Sequence, residues 1–332
     1  MNNMEKIKLQ ILEHLSHNCR MPIAELAKSL RQPRHIVAYH RSQLLKEKII
    51  INHELILNYE ALGYKEFIVF LKFFHYHSIR EKITKYIINH PHVRWASETF
   101  PNFQLRVVFA AKDLIEFEKI LDELESVAEG KLMQKEVIIT QDFLKKESYT
   151  TKEKKEIKRT QIDNLNEQEK KLLQALFENP TDSLLSLSKK SQLSMETIRH
   201  KIRKFQESGL IMGFSAKHDA IKVGYNFWCV LLLRVNNLDK HLAKIKTLLY
   251  SDACYGRTRR TFGTWNIEMS LFTPTYLDLQ HHIALLEQTL GDDYESSEIQ
   301  IYTTRLMNTR IPPVVLSTSL SGAKQNTQTK HR

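Results

Sequence analysis

The amino-acid sequence repeats itself, and this repeat limits what the chain can fold into. A shift of 161 positions aligns three residue pairs near the start of each copy: Leu12 with Leu173, Leu15 with Leu176 and Asn18 with Asn179. The register holds without a gap as far as Gly63 and Gly224, and Thr99 aligns with Thr261 after one inserted residue. Agreement through helical and extended segments alike predicts two copies of one architecture and not a solenoid.

The first part of each copy has the pattern of a helix-turn-helix. Apolar spacing predicts three helices in each: 7–15, 23–30 and 34–47 in the first copy, and 167–178, 183–190 and 195–207 in the second. Ser194 is a favourable N-cap for the last helix, which turns Ile198, Ile202 and Phe205 inward and its basic residues elsewhere. A tight turn before a basic third helix is typical of DNA-binding domains.

A β-α-β-β-α-β pattern fills the second part of each copy, as in a ferredoxin-like fold. The strand predicted over 66–74 is apolar on both faces, because Phe67 and Val69 alternate with Ile68 and Phe70. The helices cover one face of such a sheet, so the other face requires a partner. The sheet of the other copy would make one chain an internal pseudo-dimer, and pairing between chains in a homo-oligomer is the alternative.

The fold class that follows is α+β, with two winged helix-turn-helix domains alternating with two ferredoxin-like domains. Short apolar runs at 49–51 and 210–211 suit the strands of the wings. A segment rich in Lys and Glu predicts a solvated linker, and a C-terminal segment without apolar periodicity predicts a disordered basic tail. The expected boundaries are 1–60 and 163–221 for the helix-turn-helix domains, 61–143 and 222–310 for the ferredoxin-like domains, 144–162 for the linker and 311–332 for the tail.

The charge of the chain indicates an anionic partner. The formal net charge is +11 and the isoelectric point is near 9.3. A solvated face is the ordinary interpretation of one basic helix, but the helix spacing, the repeat and the charge together favour double-stranded DNA. The predicted DNA-binding residues are Arg31, Arg34, His35 and Arg41 in the first copy, and Ser194, Met195, Glu196, Arg199, His200, Arg203 and Lys204 in the second.

Neither a metal nor a cofactor is predicted. The cysteines stand at three separate positions without a paired spacing: Cys19, Cys229 and Cys254. Two histidine pairs, His75 with His77 and His90 with His92, have a spacing that would suit a metal, but surface histidines are the expected interpretation. The sequence also lacks a signal peptide, a membrane-length apolar run, a phosphate loop and a nucleophile elbow, so we expect a cytoplasmic protein that is neither a membrane protein nor an enzyme.

The order of domains resembles the Lrp/AsnC family of transcriptional regulators, and the resemblance covers nearly the whole chain twice. Its strongest stretch runs from Leu193 through Ile198 to Gly209-Leu210-Ile211, which is similar to the family's recognition helix and its closing Gly-x-Ile. The first copy departs from the pattern, with Arg41 in place of an apolar residue and Lys48 in place of glycine.

The family's effector domain, called RAM, has a characteristic turn between its second and third strands. Gly263, Trp265 and Asn266 are similar to that turn, whereas the first copy has Pro101-Asn102-Phe103-Gln104. The resemblance thus implies an amino-acid effector near Gly263. The alternative is a β-hairpin turn that only shapes the interface between the sheets.

Siroheme decarboxylases resemble the same two-domain family and use histidine and arginine against tetrapyrrole carboxylates. Arg257, Arg259 and Arg260 precede the Gly263 turn and would suit an anion, but they equally suit a solvated strand edge or a phosphate contact. A tetrapyrrole enzyme is therefore the alternative to a DNA-binding regulator.

Overall fold

The computed structural model describes residues 3–146, 165–307 and 311–317. The linker predicted over 144–162 lies outside these ranges from residue 147 onward, and so does the predicted tail from residue 318 onward.

The same order of elements occurs in both halves of the chain. The first half contains α1 (Asn3–His17), α2 (Ile23–Leu30), α3 (Arg34–Lys46), β1 (Ile50–Leu57), β2 (Lys65–Phe73), α4 (Tyr76–Asn89), β3 (Val93–Phe100), β4 (Leu105–Ala111), α5 (Leu114–Ala128) and β5 (Leu132–Lys145). The second half contains α6 (Glu167–Glu178), α7 (Leu184–Ser191), α8 (Met195–Glu207), β6 (Ile211–His218), β7 (Phe227–Val235), α9 (Leu238–Ser251), β8 (Tyr255–Phe262), β9 (Ile267–Thr273), α10 (Tyr276–Leu290), β10 (Tyr294–Met307) and α11 (Pro313–Ser317). The predicted alternation of helix-turn-helix and ferredoxin-like domains is confirmed.

The wing strands pair with each other and form a two-stranded ribbon. β1 runs antiparallel to β6, with His53 opposite Ala216. The apolar runs at 49–51 and 210–211, predicted as wing strands, continue into long strands whose backbone groups need partners. The backbone N–H of Cys19 also donates to the carbonyl of Phe214 at 2.9 Å. The two helix-turn-helix domains therefore share one hydrophobic core across the ribbon.

The two ferredoxin-like sheets join at their edges into a closed barrel with the strand order β10-β3-β4-β2-β5-β8-β9-β7. β5 and β10 make the junctions, because each is 14 residues long and pairs with both sheets. β5 pairs with β2 as far as Ile139 and then continues along β8 to Lys145. β10 pairs with β7 and then with β3 in the same way. Irregular registers let each strand pass from one sheet to the other, and closure removes the exposed strand edges.

The face predicted to need a partner lines the interior of this barrel, so the intrachain arrangement is the one adopted. Phe67 and Val69 point toward α4 and α5, whereas Ile68 and Phe70 belong to the cluster inside the barrel. That interior cluster combines both halves: Ile68, Phe70, Trp95, Phe103, Val108, Ile138, Val230 and Leu232, with Trp228, Trp265 and Tyr302 packed against it.

Two expected boundaries are corrected by the packing. Leu144 and Lys145, placed in the linker, belong to β5, and the fully buried Lys145 ammonium donates to the carbonyl of Leu249 at 2.6 Å. Residues 311–317, placed in the disordered tail, end in α11, whose Val315 side chain is buried together with Ile311. Within the described ranges, every helix is too short or too polar to cross a bilayer.

Candidate nucleic-acid interface

The third helix of the second copy, α8, presents an exposed basic face. Ser194 caps the helix by accepting a hydrogen bond from the backbone N–H of Thr197 at 3.1 Å. The opposite face is fixed by the burial of Ile198 and Phe205. The other predicted residues of this copy are exposed: Met195, Glu196, Arg199, His200, Arg203 and Lys204. The sequence therefore places the expected DNA-binding side chains on one accessible helix.

The charges on this face are available for a partner. Arg199, His200 and Arg203 form no salt bridge with any described residue. A further cation of α8, Lys201, is in contrast used within the domain, since its ammonium lies 2.5 Å from the carboxylate of Glu169 on α6. This ion pair helps to hold α8 against α6, so the helix can present the remaining cations from a fixed position.

The third helix of the first copy, α3, is built less regularly. Pro33 precedes it and provides no side-chain cap. Arg31, Arg34 and His35 are exposed, but Arg41 is half-buried. The repeat places Arg41 at the position of the inward-facing Ile202, which explains this partial burial. The predicted residues of this copy are thus present at the surface with a smaller accessible basic face.

Lys48, which stands after α3 in place of the family's glycine, also has a structural consequence. Lys48 has a φ of 52°, in the left-handed region, and its counterpart Gly209 has a φ of 77°. The chain therefore needs the same turn in both copies, but only the second copy supplies the residue type that makes it without a steric cost.

The turn between β8 and β9 uses its polar groups to join strands. The side-chain amide of Asn266 donates to the carbonyl of Val235 at 2.7 Å, and the backbone N–H of Val235 donates back to Asn266 at 3.0 Å. In the first copy, the backbone N–H of Phe73 donates to Gln104 at 2.9 Å. Trp265 packs half-buried against the barrel interior. These contacts fit the alternative in which the turn is a β-hairpin that shapes the interface between the sheets. The effector role of this turn stays a prediction.

Gly263 lies at a close contact between the two sheets. Its φ is 133°, and a Cβ atom at this position would be 2.7 Å from the carbonyl oxygen of Val137 on β5. Glycine is required here because the β8–β9 turn passes directly over the strand that joins the sheets.

A buried cluster of charges inside the barrel was not predicted. The carboxylate of Glu268 is fully buried and forms ion pairs with Arg106 and Arg259. Nearby, the guanidinium of Arg94 lies 3.0 Å from the carboxylate of Glu66. The sequence carried a signal for this cluster, since Arg106 and Glu268 each interrupt an apolar strand at a position that faces inward.

The cluster continues to the ribbon of the helix-turn-helix domains. Glu54 of β1 lies 3.2 Å from Lys217 of β6 and 3.9 Å from Arg257 of β8. Burial would raise the pKa of Glu54, but Lys217, Arg257 and Arg94 lower it to about 2. The carboxylate thus stays ionised and connects the ribbon to the barrel through ion pairs.

The three arginines before the Gly263 turn have separate environments. Arg259 is buried in the cluster and Arg257 is half-buried at its edge, so the solvated strand edge, one of the alternatives for these arginines, does not describe these two. Arg260 points to the other side of β8 and forms an ion pair with the exposed Asp239 at 2.9 Å. Five cations and three carboxylates make up the cluster, which leaves an excess of positive charge: Arg94, Arg106, Lys217, Arg257 and Arg259 against Glu54, Glu66 and Glu268.

Comparison with known proteins connects parts of this chain to transcriptional regulators. No protein-family model matches the chain. Regulatory protein AsnC of Haemophilus influenzae is 24% identical over 141 residues, which is 42% of this chain and 91% of that protein. An uncharacterized HTH-type transcriptional regulator of Pyrococcus abyssi is 26% identical over 88 residues, which is 26% of this chain and 58% of that protein.

Among solved structures, the siroheme decarboxylase NirDL matches over 93% of this chain and 94% of its own, with a TM-score of 0.62 and 15% sequence identity. This likeness is one of fold over both halves. The relatives that match parts of the sequence are AsnC/Lrp-type regulators, and the same fold over the whole chain also occurs in an enzyme.

Proposed function

We propose that this protein is a sequence-specific, DNA-binding transcriptional regulator of Lrp/AsnC type. The observation that carries the proposal is the exposed basic face of α8, whose Arg199, His200 and Arg203 side chains form no ion pair with described residues. Because charged groups on a fixed helix attract phosphates and can reach base edges, this face suits the major groove of duplex DNA. The regulators that match parts of the sequence support the same function.

The N-terminal half of each recognition helix is proposed to contact base edges. The residues in this role are Arg34 and His35 in the first copy, and Met195, Glu196 and Arg199 in the second. Arg31, Arg203 and Lys204 are proposed to bind phosphates. Since the two helices carry different residues, one chain would prefer two unlike half-sites. The barrel holds the two copies together, as the effector domains do in the family pattern.

An amino-acid effector has a weaker basis than DNA binding. A ligand that used Asn266 would have to displace it from the backbone of Val235. We therefore assign Gly263, Trp265 and Asn266 to the interface between the sheets, with effector binding there as a secondary proposal.

A siroheme-decarboxylase-like enzyme is the second candidate. Its specific support is the positive excess of the buried cluster, because arginines such as Arg257 and Arg94 would suit the carboxylates of a tetrapyrrole. The likeness in fold to the enzyme NirDL supports this candidate. The charges of the cluster are nevertheless largely paired with Glu54, Glu66 and Glu268, which gives them a structural role without a ligand.

One experiment separates the two functions. The purified full chain is used to select binders from random duplex DNA over several rounds at two salt concentrations, and its absorption is recorded with and without added iron-uroporphyrin. An enriched motif with two unequal half-sites and a steep salt dependence is expected for the regulator. An absence of enrichment together with a shifted Soret band would favour the enzyme.

The role of Arg199 is tested on the enriched motif and on variants of it with single base changes. Arg199→Ala is expected to reduce the preference for the correct base at one position of the motif by about 1–3 kcal/mol in binding free energy. Equal weakening on all sequences would mark a phosphate contact instead, and would contradict the role in base reading.

A further inference from the structure

Three side chains with metal-binding groups converge in the second ferredoxin-like domain. The carboxylate of Asp252, the thiol of Cys254 and an imidazole nitrogen of His282 all lie within 4.8 Å of one another. From this geometry we propose that Asp252, Cys254 and His282 bind a divalent transition metal, with Zn²⁺ as the best match. The proposal is independent of DNA binding.

Three elements position these groups. Asp252 follows α9 and Cys254 precedes β8, while His282 lies on the buried face of α10. The backbone N–H of Cys254 donates to the carboxylate of Asp252 at 2.8 Å, which holds this side chain over the thiol. Cys254 and His282 are buried whereas Asp252 is half-buried, so an ion can approach past the carboxylate.

The histidine is prepared for a metal by its neighbour Tyr255. The Nδ1 atom of His282 lies 3.0 Å from the Tyr255 hydroxyl. A tautomer that donates from Nδ1 leaves the lone pair of Nε2 for a metal, and such a second partner is common for metal-binding imidazoles.

Metal binding would ionise the buried thiol of Cys254. A bound metal would stabilise the thiolate, and the thiol proton would pass to solvent on binding.

The donor set selects the class of ion. One thiolate, one imidazole and one carboxylate suit Zn²⁺ or Co²⁺ and disfavour Mg²⁺ and Ca²⁺, which prefer oxygen ligands alone. Three protein ligands leave a fourth position of a tetrahedron for water or another ligand.

The first ferredoxin-like domain offers a contrast at the equivalent place. Its counterparts of Asp252 and Cys254 are His90 and His92, which stand 162 positions earlier. Their Nε2 atoms face separate carboxylates, with His90 3.4 Å from Glu123 and His92 4.0 Å from Glu116. His90 is buried, unlike the surface histidine that was expected. The histidines at this place pair with carboxylates, and no thiol is present. The first domain therefore shows the same position of the fold without the donor set of Asp252, Cys254 and His282.

The test uses metal-depleted, untagged full chain titrated with Co²⁺. The expected result is one equivalent bound with a thiolate-to-cobalt charge-transfer band, which Zn²⁺ abolishes by displacement. Cys254→Ser is expected to lose this band, and the matched control Cys229→Ser, at another buried cysteine, is expected to keep it. Tyr255→Phe, which removes only the hydroxyl beside His282, is expected to weaken binding about 10-fold.

The wild-type titration decides the question even if Cys254→Ser fails to fold. Absence of a thiolate-to-cobalt band in the wild-type protein would overturn the site. A band that persists in folded Cys254→Ser, or that disappears in Cys229→Ser, would overturn the assignment of Cys254 as the ligand.

Discussion

At the scale of single residues, Glu268 is the carboxylate on which the charge cluster of the barrel depends. It is fully buried between Arg106 and Arg259. Glu268→Ala would leave the buried Arg106 guanidinium without its counter-charge and Arg259 with only Glu66 at 3.7 Å, so we expect it to lower the free energy of unfolding by about 3–5 kcal/mol. Urea unfolding followed by circular dichroism measures this change.

The matched control is an exposed carboxylate from the same half of the chain. Glu295 lies 3.5 Å from Arg234, and the side chains are 49% and 43% exposed. Because water screens such a pair, Glu295→Ala should change the free energy of unfolding by no more than about 1 kcal/mol. Equal effects of the two substitutions would show that the buried cluster does not stabilise the barrel.

The buried His218 of the ribbon is expected to make the folded protein less stable in mild acid. Burial lowers its pKa from 6.5 to about 4. The unfolded chain therefore takes up a proton first as the pH falls, and folding loses stability through the window from 6.5 down to about 4. In His218→Gln, the urea midpoint of unfolding should depend less on pH across this window. An equally steep decline in the variant would assign the acid sensitivity to other groups.

At the scale of elements, the β8–β9 turn is expected to be a structural contact. A methyl group at Gly263 would collide with the Val137 carbonyl, whereas nothing lies within 4 Å of one at Gly224, which also has a positive φ. Gly263→Ala should therefore lower the free energy of unfolding by at least about 1 kcal/mol more than Gly224→Ala. Comparable thermal unfolding of the two variants would show that the sheets can separate at this turn.

The sequence predicted the elements well where their apolar periodicity was strong. The bounds of α2, α6 and α8 agree with the predicted helices. The end of β5 was missed, and Leu144 and Lys145 were placed in the linker, because Thr140 and Asp142 hide the apolar alternation in its second half. Pairing between β1 and β6 depends on residues far apart in the chain, so local patterns carried no signal for it.

For the candidate sites too, local spacing predicted some residues, whereas contacts between distant segments were not predicted. The exposed residues of α8, such as Arg199 and Arg203, followed from helical spacing within 13 residues. The grouping of Asp252 and Cys254 with His282 depends on how α10 packs against β8. In the sequence, the spacing of the cysteines indicated no metal site. Charges such as Glu268 were identifiable as inward-facing, but their partners were not.

At the scale of the whole molecule, the barrel should unfold as one unit. β5 and β10 each hydrogen-bond to both sheets, so neither half can open without breaking pairs in the other. Native-state hydrogen exchange is expected to give the same free energy of opening for Phe70 in β2 and Leu232 in β7. A clearly lower value for one of these strands would contradict cooperative closure.

The central claim is that exposed cations on the recognition helices bind the phosphates and bases of duplex DNA. Its most direct test is fluorescence anisotropy of an enriched duplex, measured over a range of salt concentrations with the wild-type chain, Arg203→Ala and the control Arg234→Ala. Since each phosphate contact contributes about 0.9 to the slope of log affinity against log salt, Arg203→Ala should reduce the slope by about 1 and Arg234→Ala should leave it unchanged. A wild-type chain without salt-dependent binding, or identical slopes for all three proteins, would contradict DNA binding through α8.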